Sequence, residues 1–242
     1  MNVQEATTRR LPDLKERHLP ENCRETINTI LKETYGYEQF RNLEIYDDLS
    51  KGKEKLCISQ GQLIENVILE AEKAWKGETQ VDNILLTAPT GSGKSLLFQL
   101  PAIYLGKEYN LLTIVVSPLK ALIVDQVESL QELGYMRVAY ASSDLSPEQK
   151  MEVYRQVREG EIDLFYLSPE LLLSYDIKHF VGERRIGLVV VDEAHTVTTW
   201  GKEFRVDYWF LGRYLTALKQ TLGYNFPLFA LTATAVWNPK GG

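Results

Sequence analysis

The chain has 242 residues, of which 27 are Lys or Arg and 33 are Asp or Glu, giving a formal charge of −6. Hydrophobic residues make up 44% and charged residues 25%, a balance that excludes disorder, collagen-like repeats and coiled coils by composition. The length suits one α/β domain with a small accessory segment. No stretch reaches the roughly 18 continuous apolar residues of a membrane helix, and Met1–Arg10 lacks the apolar core of a secretory signal. The two cysteines, Cys23 and Cys57, form no CxxC pair and no Cys/His cluster, which argues against a disulfide framework or a zinc site and fits a cytoplasmic protein. The acidic balance gives no general attraction to nucleic acid but leaves room for a local basic groove.

Residues 1–20 are polar, with Pro12 and Pro20, and read as an arm. Residues 21–80 read as a helical segment. Ile27, Ile30, Leu31 and Tyr35 recur at helical spacing up to Gly36. Leu63, Ile64, Val67, Ile68, Ala71 and Trp75 form a second amphipathic helix closed by Gly77. Between them, residues 42–59 are irregular and charge-rich, with Asp47, Asp48, Lys51, Lys53, Glu54 and Lys55. They read as an exposed loop or small insertion, the lysines forming a solvated face rather than a binding patch.

From residue 81 to 242 the pattern changes. Short apolar runs at Ile84–Leu86, Leu111–Val116, Arg137–Tyr140, Ile162–Leu167, Leu188–Val191 and Leu228–Leu231 fit strands buried on both faces. Helical segments at Ser95–Leu105, Lys120–Leu133, Pro147–Glu159, Leu171–Phe180 and Tyr208–Leu222 separate most of them. Ser146-Pro147-Glu148 supplies a cap and a first-turn proline. This alternation predicts a mostly parallel sheet covered by helices on both faces, with ligands at the carboxyl ends of the strands.

Two such strand ends carry chemistry. Ala88-Pro89-Thr90-Gly91-Ser92-Gly93-Lys94-Ser95 follows the first strand and opens a helix. Thr90, Gly91, Ser92 and Gly93 allow the backbone to wrap phosphate, and the helix start adds a favourable dipole. Lys94 would reach the β- and γ-phosphates of ATP and the Ser95 hydroxyl would hold Mg²⁺. The usual pattern begins with Gly, where this chain has Ala88. About a hundred residues on, an apolar strand ends in Asp192-Glu193-Ala194-His195. Asp192 suits the Mg²⁺ shell, Glu193 the attacking water, and His195 a sensor of the γ-phosphate. Taken alone, the two acids would also suit a helix N-terminus. Together the segments complete an NTP–Mg²⁺ site, on a P-loop NTPase fold.

In order along the chain, these segments resemble the motifs of superfamily 2 helicases, and of the RecQ-like DNA helicases in particular. Thr87–Ser95 is similar to motif I, Val115–Val127 to motif Ia, and Tyr166-Leu167-Ser168-Pro169-Glu170 to the next strand-grasping motif. Asp192–His195 is similar to motif II and Ala230–Ala235 to motif III. The segment Trp200–Tyr208 resembles the RecQ aromatic-rich loop, with Thr199, Lys202 and Glu203 where that family usually has Gln, His and Asp. A further likeness lies upstream, where Tyr35–Arg41 resembles the adenine-recognition motif. Its glutamine falls at Gln62, after an insertion of about 18 residues between Arg41 and Gly61-Gln62.

The resemblance implies a RecA-like motor lobe that couples ATP hydrolysis to translocation on single-stranded DNA and unwinding of duplex DNA, with 3′-to-5′ polarity. It implies adenine contacts from Tyr37, Arg41 and Gln62, strand contacts from Ser117, Lys120, Ser168, Trp200, Phe204 and Arg205, and coupling through Thr232 and Thr234. The residues also allow plainer roles: Tyr37 and Phe40 as core aromatics, Gln62 as a helix-face polar group, Trp200 and Phe204 packed on the sheet, Thr232 and Thr234 in a turn. The resemblance implies, further, a second lobe with an arginine finger, zinc-binding and winged-helix parts, none of which the sequence contains. The chain reads as the first motor lobe of a longer protein, expected to hydrolyse ATP poorly and not to unwind by itself. The alternatives are an RNA-directed DEAH-box ATPase, a nucleotide-gated binding module, and a helicase-like subunit of a larger DNA-processing or defence system.

Overall fold

The computed structural model describes residues 23–46, 55–88, 91–193 and 201–232. Among them six strands form one sheet: β3 (Ile84–Thr87), β4 (Leu112–Val116), β5 (Val138–Ala141), β6 (Leu164–Leu167), β7 (Ile186–Val191) and β8 (Leu228–Thr232). Their order across the sheet is β3-β8-β7-β4-β6-β5, and every pairing is parallel. A parallel sheet needs a covered crossover after each strand, and the chain supplies helices for them. All six expected strands are present, shifted by at most two residues at each end.

Alternation along each strand splits the interior into two cores. Val115, Leu164, Tyr166, Leu188 and Val190 join one, with side chains of α1 (Glu25–Tyr35), α2 (Gln60–Trp75), α3 (Leu96–Tyr109) and α4 (Lys120–Glu132). Ile114, Val116, Phe165, Leu167 and Val189 join the other, with α5 (Pro147–Arg158), α6 (Pro169–Ser174), α7 (Ile177–Val181) and α8 (Gly201–Leu222). This is the period-two signature of a sheet buried on both sides. Helix α3 is buried all round from Leu96 to Gly106, because α1 and α2 lie over it. Helices α1 and α2 thus share a core with the sheet. Helix α1 ends on Gly36, which takes the left-handed conformation at φ 69 and donates to Lys32 O. The expected cap of α5 is there: Ser146 Oγ accepts from Gln149 N, and Gln149 Oε1 accepts from Ser146 N.

Two expectations are corrected. The segment Leu171–Phe180 is two short helices, because Tyr175 is extended and Asp176 starts α7 by capping Lys178 N. The stretch 42–59 is also more regular than its charges imply. Asn42–Tyr46 (β1) and Lys55–Ser59 (β2) pair antiparallel, with Leu43 opposite Ile58. Those two side chains are buried while their neighbours Glu44 and Cys57 are exposed, so alternation decides the structure of the described part of this stretch. Residues 47–54 lie outside the described residues.

Candidate nucleotide site

Because the sheet is parallel, the carboxyl ends of all six strands face one edge. Ala88, Ser117, Ser168, Asp192 and Thr232 all fall there. Strand β8 separates β3 from β7, with Thr232 opposite Thr87 and its carbonyl accepting from Ala88 N at 3.0 Å. Thr232 therefore stands between the phosphate loop and the acidic strand end. Asp192 N extends the next pairing by donating to Val116 O at 2.9 Å.

Gly91 and Gly93 have φ of 80 and 78, in the region that favours glycine. Lys94 begins the turn into α3, and its Nζ is buried with no hydrogen-bond partner. Glu193 Oε1 lies 3.8 Å from it. The hydroxyls of Thr87, Ser92 and Ser117 are likewise buried without partners at this edge. A buried ammonium and a row of orphaned hydroxyls are costly in a finished interior, and they fit a site made for a polar anionic ligand.

The acidic strand end is tightly built. Glu193 has φ 50, left-handed backbone that a non-glycine residue seldom adopts. Asp192 Oδ1 accepts from Glu193 N at 2.9 Å, which supports that turn. Burial pushes the Asp192 carboxyl up, the Glu193 charge pushes it the same way, and the Glu193 N–H, Lys94 and Gln126 pull it down. The Ser95 hydroxyl and the Asp192 carboxylate are hard oxygen donors, few in number. That set fits Mg²⁺, which keeps most of its shell for water and substrate phosphates. Among the described residues no cluster of three or more His, Cys, Asp or Glu could form an all-protein metal cage.

The ribbon forms a second wall. A cleft of about 310 Å³ is lined by Arg41, Asn42, Leu43 and Glu44 on one side and Gly91 and Ser92 on the other. Gln60 ties the two walls together. Its backbone N–H donates to Arg41 O at 2.9 Å, its Oε1 accepts from Arg41 N at 3.1 Å, and its Nε2 donates to Ser92 O at 3.2 Å. Sequence reasoning missed Gln60, although the same Gln-Gly-Gln run carries it. It placed Gln62 at the adenine. In the structure the Gln62 amide oxygen accepts from Ser59 N at 3.1 Å in the cap of α2. Tyr37 is half exposed and stacks on Tyr35 at 6.3 Å, so it is not a core aromatic.

The expected strand contacts divide. Lys120, the first residue of α4, forms an ion pair with Asp144. Ser168 Oγ caps α6 by accepting from Leu171 N at 3.2 Å. Ser117 Oγ is buried at the strand end. Thr90, His195, Trp200 and Thr234 lie outside the described residues, as do the side chains of Phe204 and Arg205 in α8.

The sequence pattern described as DEAD/DEAH box helicase matches residues 63–240, which contain the phosphate loop and the acidic strand end. The chain belongs to the DEAD/DEAH box helicase family. It is 35% identical over 217 residues to the ATP-dependent DNA helicase RecQ of Synechocystis sp., covering 88% of this chain and 38% of that protein. It is 32% identical over 207 residues to RecQ of Bacillus subtilis, covering 86% of this chain and 29% of that protein. The chain thus spans well under half the length of these relatives. Among solved structures, the DUF1998 helicase MrfA bound to DNA superposes with a TM-score of 0.58 at 22% identity, over 93% of this chain and 26% of that one. The yeast DEAD-box splicing factor Prp28 does so with a TM-score of 0.59 at 15% identity, over 95% of this chain and 48% of that one. Both likenesses show the fold, the RecA-like sheet of helicase motor domains.

Proposed function

We propose that this chain is the ATP-binding motor lobe of a RecQ-like DNA helicase, coupling ATP hydrolysis to movement on single-stranded DNA and separation of duplex strands. The observation that carries the reading is Lys94, buried without a hydrogen-bond partner and facing Glu193 where the family's NTPase residues converge. Lys94 would bind the β- and γ-phosphates against the Gly91–Gly93 backbone. Ser95 and Asp192 would hold Mg²⁺, which neutralises charge on the phosphates when bound. Glu193, on its left-handed turn, orients the attacking water and accepts its proton. Thr232, paired opposite Thr87, stands where a change at the phosphates can pass to the rest of the strand edge. The choice of DNA rests on the RecQ relatives at 31–36% identity and on the motifs along the chain.

A second lobe carrying an arginine would complete the site, an addition worth about 10³–10⁵ in NTPase rate in comparable enzymes. Residues 1–242 alone are therefore expected to turn ATP over slowly and not to unwind. The test is ATP turnover by the full-length protein that carries this chain, without nucleic acid, with single-stranded DNA and with single-stranded RNA, using Lys94→Ala as the blank. Stimulation by DNA alone supports the reading. Equal stimulation by RNA, or turnover at the blank level in all three, overturns it.

A further inference from the structure

Behind Asp192 runs a chain of hydrogen bonds that crosses the whole of one core. Tyr35 O–H, at the end of α1, donates to Gln99 Oε1 in α3 at 2.9 Å. Gln99 Nε2 donates to the Tyr166 hydroxyl oxygen in β6 at 3.3 Å. Tyr166 O–H donates to Gln126 Oε1 in α4 at 2.9 Å, and Gln126 Nε2 donates to Asp192 Oδ2 at 3.4 Å. Gln99 and Tyr166 are buried among apolar side chains, where polar groups are retained only if satisfied. A cavity of about 190 Å³ opens along the relay, lined by Tyr35, Gln99 and Gln126 together with Ser95 of the phosphate loop.

The direction of every bond follows from its last acceptor. An ionised carboxylate only accepts, so Gln126 must turn its NH₂ to Asp192 and its carbonyl to Tyr166. Tyr166 must then donate to that carbonyl, leaving its oxygen to accept from the Gln99 NH₂. Gln99 in turn presents its carbonyl to Tyr35. All four links run head to tail toward Asp192, the arrangement in which each bond polarises the next. The other carboxylate oxygen, Oδ1, is held by Glu193 N. Two fixed donors on two oxygens leave the carboxylate one orientation.

We infer that Gln126 is a positioning residue for the nucleotide-bound metal ion: held by Tyr166, Gln99 and Tyr35, it fixes the Asp192 carboxylate and so links the metal end of the site to the α1 terminus where Tyr37 stacks on Tyr35. The inference rests on the nucleotide-site reading above. It gives Gln126 and Tyr166 a role that neither the phosphate loop nor the acidic strand end supplies. Supporting groups behind a metal ligand characteristically alter metal affinity by about 10–100-fold.

The test uses Mn²⁺, followed by its electron paramagnetic resonance signal, as the probe. Two affinities are measured in the full-length protein: ADP with chelator present, and Mn²⁺ in the ADP complex. Gln126→Met keeps length and volume but makes no hydrogen bond. Tyr166→Phe keeps the ring that packs edge-on to Phe98. Gln126→Met is expected to weaken Mn²⁺ binding about tenfold, and Tyr166→Phe to weaken it severalfold, with metal-free ADP affinity unchanged in both. A merely structural role would lower both affinities along with the melting temperature, and that result overturns the inference. So does unshifted Mn²⁺ binding in either variant, because the relay requires both. Failure of the unaltered protein to bind ADP at all would instead overturn the nucleotide-site reading.

Discussion

Lys94 reaches a buried position with nothing to hydrogen-bond, and Glu193 holds a backbone conformation that side chains avoid. Both are local costs, and such costs gather where function needs them. Lys94→Ala is expected to cost about 2–3 kcal/mol of nucleotide binding, the scale of hydrogen bonds to a charged group, measured by calorimetric titration with ADP. Glu193→Gln keeps the shape but cannot take a proton. Turnover should fall about 100-fold or more while nucleotide binding is retained, which single-turnover kinetics will separate. Gly93 gives a third expectation. A Cβ there would meet Gln60 Nε2 at 2.7 Å on a backbone of φ 78. Gly93→Ala should therefore break the Gln60–Ser92 bond and weaken ADP binding in the same titration. The phosphate loop and the acids were legible in sequence because their chemistry lies in consecutive residues. Gln60 was not, because its partners Arg41 and Ser92 are brought to it only by the fold.

Elements are pinned to one another by two buried ionic clusters that leave little trace in the sequence pattern. At the start of α1, Arg24 binds Glu65 and Glu72 of α2, the latter at 2.6 Å, and also meets Tyr104 of α3. Burial pushes the Glu72 carboxyl up, but hydrogen bonds from Arg24, Tyr109 and Tyr104 outweigh it, and the group sits below its usual 4.5. A carboxyl lowered in the folded state stabilises the fold above its unfolded pKa, and that contribution is lost as pH falls through the folded value. Arg24→Met should therefore lower the urea midpoint at about pH 7, with the gap to the parent narrowing as the pH is taken down into the acid range and Glu72 is protonated in the fold. The second cluster lies at the opposite end of the strands from the nucleotide site. Asp163, fully buried, binds Arg184 at 2.9 Å, Arg137 at 2.6 Å and the Tyr135 hydroxyl at 2.9 Å. Asp163→Ala would leave the Arg184 guanidinium, itself 3% exposed, without its counter-charge. A loss of about 3–5 kcal/mol is expected, read from chemical denaturation. The ribbon was missed in sequence for a related reason: the charges around it hide its alternation until the pairing places Leu43 opposite Ile58.

At the scale of the molecule, two cores share one sheet, and β4 and β7 lie at its centre with helices over both faces. Their amides should be the slowest to exchange with deuterium, and those of the edge strands β3 and β5 faster, which mass-spectrometric exchange will rank. This much of the architecture was legible from the sequence, because strands buried on both faces are continuous apolar runs such as Val189–Val191. The order of strands was not, since no local pattern says that the strand written last lies second from the edge.

That order has a consequence for how the molecule is made. Among the described residues β3 pairs only with β8, and the two are separated by about 140 positions of sequence. A ribosome releases the phosphate loop early, yet its strand has no place in the sheet until residues 228–232 emerge. The intervening strands β4 to β7 can assemble in the meantime and leave a free edge on β7 as the berth. Nascent chains halted before residue 228 should therefore fail to retain nucleotide, and chains released a little beyond 232 should gain it in a single step.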